Sequence, residues 1–177
     1  MRFVREAARE MCAPDAGALC FTNGARVSDI HYRRSRFSTR LLTDRLYTAS
    51  HFWLKEHEPG VWRVGLTKFA SRMLGDVVDV EFEAAIGSTV QLGDSIGWFE
   101  GFKARSDLYT VVSGRFAGGN PALEEDVDVI DRDRYGNGWL YAVEGMAEPD
   151  AHDASGYMHL LDDVIDRMRG RARKEEG

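Results

Sequence analysis

A chain of 177 residues with 44% hydrophobic and 29% charged residues has the size and balance of one domain with an appendage, which excludes a fibrous repeat or a disordered chain. No apolar run reaches the roughly 18–20 residues needed to cross a bilayer, and the start lacks the apolar centre of a secretory signal, so a soluble, cytoplasmic protein with no membrane partner is expected. The net charge of −6 is uneven: residues 1–46 hold nine Arg against five acids, whereas residues 47–177 hold 14 basic and 24 acidic residues, and an acidic body of that kind speaks against nucleic acid as a partner.

Residues 1–46 read as an N-terminal extension. An Arg-rich start is one mark of a transit peptide, but Glu6 and Glu10 argue against that. Cys12 and Cys20 match no zinc or redox spacing and read as two reduced thiols. Arg33, Arg34, Arg36 and Arg40 surround Tyr32 and Phe37. They are suited to gripping a phosphate or an acidic partner, or to lying across this chain's own acidic surface, and the second is the favoured reading.

From Tyr47 to Trp139 short apolar or alternating runs are punctuated by glycine, which predicts an all-β body. The expected strands are Trp53–Leu54, Val61–Leu66, Val77–Phe82, Thr89–Leu92, Ser95–Phe102, Leu108–Ala117 and Trp139–Val143, enough for a sandwich or barrel. Between the second and third, Thr67 can cap a short helix with Phe69, Ala70, Met73 and Leu74 on its apolar face, ended by Gly75. A second helical segment, Leu123–Ile130, follows the turn dipeptide Asn120-Pro121. A third carries Tyr157, Leu160, Leu161, Val164, Ile165 and Met168 at helical spacing, with Gly170 as its close and a charged, frayed tail beyond. Leu74-Gly75-Asp76 and Leu92-Gly93-Asp94 each lead into an apolar strand, a hint of duplicated halves.

The chemistry is concentrated in Gly97-Trp98-Phe99-Glu100-Gly101-Phe102-Lys103-Ala104-Arg105-Ser106-Asp107-Leu108-Tyr109. A strand enters and a strand leaves, so the polar centre is a tight exposed turn with Lys103 at its tip. A lysine on a turn is ordinarily a solvated charge. This stretch, however, resembles the lipoylation site of glycine cleavage H proteins, Glu-Ser-x-Lys-Ala-x-Ser-Asp-Leu-Tyr, in Glu100, Lys103, Ala104, Ser106, Asp107, Leu108 and Tyr109. The likeness continues in Tyr47-Thr48, His51, Trp53, Val64-Gly65-Leu66-Thr67 and Leu74-Gly75-Asp76-Val77-Val78, then in Val112-Ser113-Gly114, Asn120 and Tyr135-Gly136-Asn137-Gly138-Trp139-Leu140. It covers about residues 47–165.

The resemblance implies a lipoyl-domain-like barrel-sandwich hybrid, mainly β, with a short internal helix and a C-terminal helix. Residues 47–169 would be the lipoyl-carrier domain and 170–177 a charged tail. It also implies a non-catalytic carrier, with lipoic acid joined by a lipoate ligase or transferase to the Lys103 amine as an amide. Glu100 would be recognised by the modifying enzyme, and Gly101, Phe102 and Ala104 would frame the hairpin tip. The arm would take the aminomethyl group of glycine between glycine decarboxylase (P protein), aminomethyltransferase (T protein) and dihydrolipoyl dehydrogenase (L protein).

Three departures stand out. Gly101-Phe102 replaces the usual Ser and small aliphatic residue, Phe52 stands where Glu is common, and Arg134 where Pro is common. An exposed Phe102 should fold back on the hairpin or meet a partner. These departures keep open an H-like lipoyl carrier for sulfur oxidation or a stress-linked relay, and an unmodified interaction module. Biotin carriage is disfavoured, because biotinyl lysines typically sit between methionines. An enzyme is disfavoured too, since His31, His51, His57, His152 and His159 form no metal or triad spacing.

Overall fold

The computed structural model describes residues 28–175; Glu6, Glu10, Cys12 and Cys20 lie outside them. In chain order the elements are β1 (Asp29–Arg34), β2 (Phe37–Leu42), β3 (Leu46–Tyr47), β4 (Phe52–Glu58), β5 (Val61–Leu66), α1 (Lys68–Leu74), β6 (Val77–Phe82), β7 (Thr89–Val90), β8 (Ser95–Gly101), β9 (Arg105–Tyr109), β10 (Val112–Gly119), α2 (Ala122–Glu125), α3 (Val129–Arg132), β11 (Tyr141–Ala147) and α4 (Ala154–Glu175). The mainly β body with a short internal helix and a C-terminal helix is the expected class.

A six-stranded antiparallel sheet in the order β3-β4-β5-β11-β10-β7 faces a three-stranded sheet, β6-β8-β9. Their inner faces share one core: Leu54 and Val64 of the large sheet, Ile96, Phe99 and Leu108 of the small one, and Phe116, Tyr141 and Val143 from β10 and β11. Strand alternation explains the layering, because successive side chains point to opposite faces. In β4, Phe52 and Leu54 enter this core, whereas Trp53 between them enters a second one.

That second core lies on the outer face of β3 and β4. It joins Tyr47 and Trp53 to Tyr157, Leu161 and Ile165 of α4, to Phe69 of α1, and to Tyr32, Phe37 and Leu41 of the β1–β2 hairpin. Tyr47 and Tyr157 stack at 4.9 Å. The hairpin closes through a two-residue turn, Ser35-Arg36, with Arg34 paired to Phe37 and Ser35 at φ 54°. Tyr32 donates its hydroxyl to Asp162 at 2.7 Å, and Arg34 bonds Asp162 and Asp166 on α4. Arg40 pairs with Asp29 across the hairpin. These two arginines are thus satisfied by the chain's own acids.

Several expected boundaries shift for identifiable reasons. The run Leu108–Ala117 is two strands, because β9 pairs with β8 in the small sheet and β10 with β11 in the large one, and the chain crosses between sheets at Thr110-Val111. The segment Leu123–Ile130 is two single-turn helices rather than one. Asp126 is extended (φ −155°, ψ 94°) and its carboxylate accepts the Asp128 N–H, a local bond that competes with the helix ladder. Gly170 does not close α4, which runs on to Glu175 through Arg, Ala, Lys and Glu, all good helix formers. The β1–β2 hairpin at residues 29–42 is structure within what the sequence presents only as an Arg-rich extension.

Candidate functional site

The site is built on the joint between α1 and the β8–β9 hairpin. Thr67 caps α1, its hydroxyl accepting the Ala70 N–H, and Gly75 ends it at φ 68°, ψ 111°, a backbone conformation that L side chains rarely adopt. The chain then turns into β6, which pairs with β8.

The β8–β9 hairpin pairs Glu100 with Arg105, and the Gly101 N–H donates to the Ala104 carbonyl at 2.9 Å. Gly101 is the last residue of β8, so the tip proper is Phe102, Lys103 and Ala104. This tip is pinned to the end of α1. The Lys103 N–H donates to the Leu74 carbonyl at 3.0 Å and the Phe102 N–H to the Gly75 carbonyl at 2.9 Å. Two carbonyls left over at a helix C-terminus are thereby satisfied by the turn. The approach is close enough that a Cβ on Gly101 would lie 2.5 Å from the Gly75 oxygen.

The candidate residues divide by exposure. Gly101 is buried at this backbone crossing, whereas Glu100, Phe102, Lys103 and Ala104 are exposed. Phe102 is 80% exposed and does not fold back on the hairpin. The Lys103 stem runs over Gly75, and its amine lies 3.5 Å from the Arg72 carbonyl. Glu100 makes no ion pair among the described residues, because its cross-strand neighbour Arg105 places its guanidinium over the Trp98 ring at 3.7 Å. The backbone of the tip is therefore fixed and its side chains are free to be met.

Several depressions flank α1. One, about 260 Å³, lies among Ser50, His51, Met73, Leu74, Asp107 and Tyr109. His51 is held at φ 67° with its ring Nδ1 2.9 Å from the Tyr157 hydroxyl, and burial lowers its pKa to about 4, leaving a neutral imidazole. Tyr109 donates to Asp107 at 2.9 Å, which raises its pKa above the ordinary phenol value. A second, about 380 Å³, lies between Lys103, α1, α4 and the β1–β2 turn, and a third, about 510 Å³, lies beside Lys103 among Arg72, Asp76, Phe102 and Arg134. Sequence reasoning found the tip but none of these depressions, which are assembled from segments far apart in the chain. Among the described residues no group of His, Cys, Asp and Glu is arranged to hold a metal ion.

The family model described as glycine cleavage H-protein matches residues 45–160. The chain belongs to the glycine cleavage H-protein family. It is 37% identical over 124 residues to the glycine cleavage system H protein of Shewanella oneidensis, a match that covers 68% of this chain and 95% of that protein. The Shewanella loihica protein of the same name is 36% identical with the same coverage. A crystal structure of a glycine cleavage system H protein from Mycobacterium marinum superimposes with a TM-score of 0.61 at 38% identity, covering 68% of this chain and 98% of that one. The lipoyl-domain-like fold expected from the sequence is thus shown.

Against the H-protein pattern, the departures have local explanations. Phe52 is buried in the sandwich core, where it needs no charge partner. Arg134 is largely enclosed and ties Asp131 of α3 to the Ser71 hydroxyl and the Leu66 carbonyl, so it braces the entry and the middle of α1. The β1–β2 hairpin lies outside the matched residues and is an addition to the family core.

Proposed function

We propose that this protein is a lipoyl carrier of the glycine cleavage reaction, with lipoic acid carried on Lys103. The single observation that carries the assignment is an exposed lysine on a turn whose backbone is bonded to the end of α1. The family and the names of its relatives supply the reaction. In this reading residues 47–169 are the carrier domain, 1–46 an extension and 170–177 a charged tail.

The residues present suit such a group. A lysine amine on a four-carbon stem can be acylated and, once acylated, brings no charge into a partner's cleft. When bound, a lipoyl group supplies a disulfide that accepts an aminomethyl unit and two electrons together. The chain contributes position: the pinned tip holds the anchoring atom still while leaving the side chain free to swing, so that tethering raises the effective concentration of the arm at each docked enzyme. Glu100 stands exposed three residues before the lysine, open to the modifying ligase or transferase. The carrier performs no chemistry of its own. It serves glycine decarboxylase, aminomethyltransferase and dihydrolipoyl dehydrogenase in turn, in the cytoplasm. Among the described residues no helix is long and apolar enough to cross a membrane.

Reconstitution tests the pathway. With glycine decarboxylase and glycine, the lipoylated chain should support release of carbon dioxide stoichiometric with arm loading, and Lys103→Arg should support none. A fully lipoylated chain that remains unloaded would refute the glycine cleavage reading.

A further inference from the structure

The depression of about 380 Å³ between Lys103, α4 and the β1–β2 turn has a composition that the carrier role does not itself require. Its floor is apolar, with Phe69, Ile165 and Met168, and its rim holds Arg36, Arg72 and Arg169. Met168 is 42% exposed and Met73, at the edge, 50%. Arg34 at one end is occupied by Asp162 and Asp166, but Arg36 and Arg72 have no carboxylate within 4.0 Å among the described residues. On a chain of net charge −6 this is a local reversal of sign.

We propose that this arginine-rimmed groove is a docking surface for an acidic protein segment bearing an apolar side chain, presented by an enzyme that acts on the Lys103 arm. The proposal rests on the carrier reading. Exposed methionine, aromatic floor and arginine rim are the residue types enriched where proteins meet, and guanidiniums that have no carboxylate partner among the described residues, Arg72 touching only the Arg36 carbonyl and the Phe37 ring, select carboxylates. Acylation of Lys103 removes its charge, so the arginines alone provide the attraction once the arm is in place. The chain's own residues 1–27 are the wrong complement, with Arg2, Arg5, Arg9 and Arg26 against Glu6, Glu10 and Asp15. The β1–β2 turn supplies one wall and the α4 segment after residue 160 the other, both outside the family match. The added hairpin therefore builds a contact face next to the shared arm site.

The test uses the full chain, lipoylated, with intact mass confirming the modification in every variant. KM for the carrier is measured with its glycine decarboxylase, aminomethyltransferase and dihydrolipoyl dehydrogenase at low and moderate salt. The double variant R36E/R72E should raise KM at least about tenfold with one of the three at low salt, with the gap narrowing as salt is added. Arg33→Glu, a single charge reversal half the size of the double variant's, on an exposed residue of the same hairpin that does not line the groove, should stay within about twofold. Unchanged KM for the double variant with all three enzymes would overturn the proposal. So would equal losses in R36E/R72E and Arg33→Glu, or NMR shifts at Arg36 and Arg72 that respond to inorganic phosphate or to anionic vesicles while no KM moves. Failure of the parent chain to be lipoylated would instead reject the carrier reading itself.

Discussion

Replacing Gly75 by Ala should destabilise the protein and loosen the Lys103 turn together, because one residue ends α1 and supports the tip. At φ 68°, ψ 111° an L side chain is strained, at a cost of roughly 1–3 kcal/mol. The added methyl would lie 2.8 Å from Cγ of Lys103, but that stem can swing away cheaply. Backbone relief is dearer, since rotating the Gly75 peptide disturbs the bonds from Phe102 and Lys103, each contributing about 1 kcal/mol. The expected total is about 2–4 kcal/mol, read from urea unfolding as a lower midpoint at unchanged slope. Gly60→Ala is the comparison: Gly60 also has positive φ (76°) but an added Cβ there meets nothing within 4 Å, so it reports strain alone. Gly75→Ala, and not Gly60→Ala, should also speed hydrogen exchange at the Phe102 and Lys103 amides. A Gly75→Ala protein within about 0.5 kcal/mol of the parent, with both amides as protected as before, would refute the reasoning.

Three further outcomes follow from the second core and from α4. His51 has a folded-state pKa of about 4 against 6.5 when free, so the unfolded chain binds the proton more readily between those values. Its contribution is complete above about pH 6.5 and is lost as pH falls toward 4. Between pH 7 and 5 the parent should lose about 2 kcal/mol more stability than His51→Asn, and parallel pH profiles would contradict this. Thr67→Val removes a buried hydroxyl that caps α1, donates to the His51 carbonyl at 2.8 Å and meets the Tyr157 hydroxyl, at a cost of about 1–3 kcal/mol in denaturant unfolding. Gly170→Ala separates two readings by sign: inside a continuous α4 it stabilises by about 0.5–1 kcal/mol, whereas at a helix end requiring positive φ it would destabilise.

Sequence legibility tracked how local each feature is. Thr67 and Gly75 bracket α1 as expected because capping and termination depend on a few neighbouring residues. The Lys103 turn was legible for the same reason, from a strand on each side and from the motif around it. The β1–β2 hairpin was not, although Tyr32, Phe37, Thr39 and Leu41 show its buried face, because Arg33, Arg34, Arg36 and Arg40 dominate the composition and the hairpin's partner, α4, lies some 130 residues away. The pinning of the turn by the Leu74 and Gly75 carbonyls was equally hidden. Backbone bonds between distant segments leave no residue-type signature beyond two glycines, Gly75 and Gly101, which fit many turns. The shared Gly-Asp echo does correspond to like backbone, with Gly75 at φ 68° and Gly93 at φ 84°, each just before a strand.

The account stands on Lys103 as the anchor of the arm, and mass spectrometry of the intact chain expressed with a lipoate ligase addresses that directly. The parent should gain one lipoyl group, located on the peptide containing Lys103, and Lys103→Ala should gain none while unfolding at the same urea midpoint. Equal modification of both proteins, or a lipoyl group mapped to any other lysine, would contradict it.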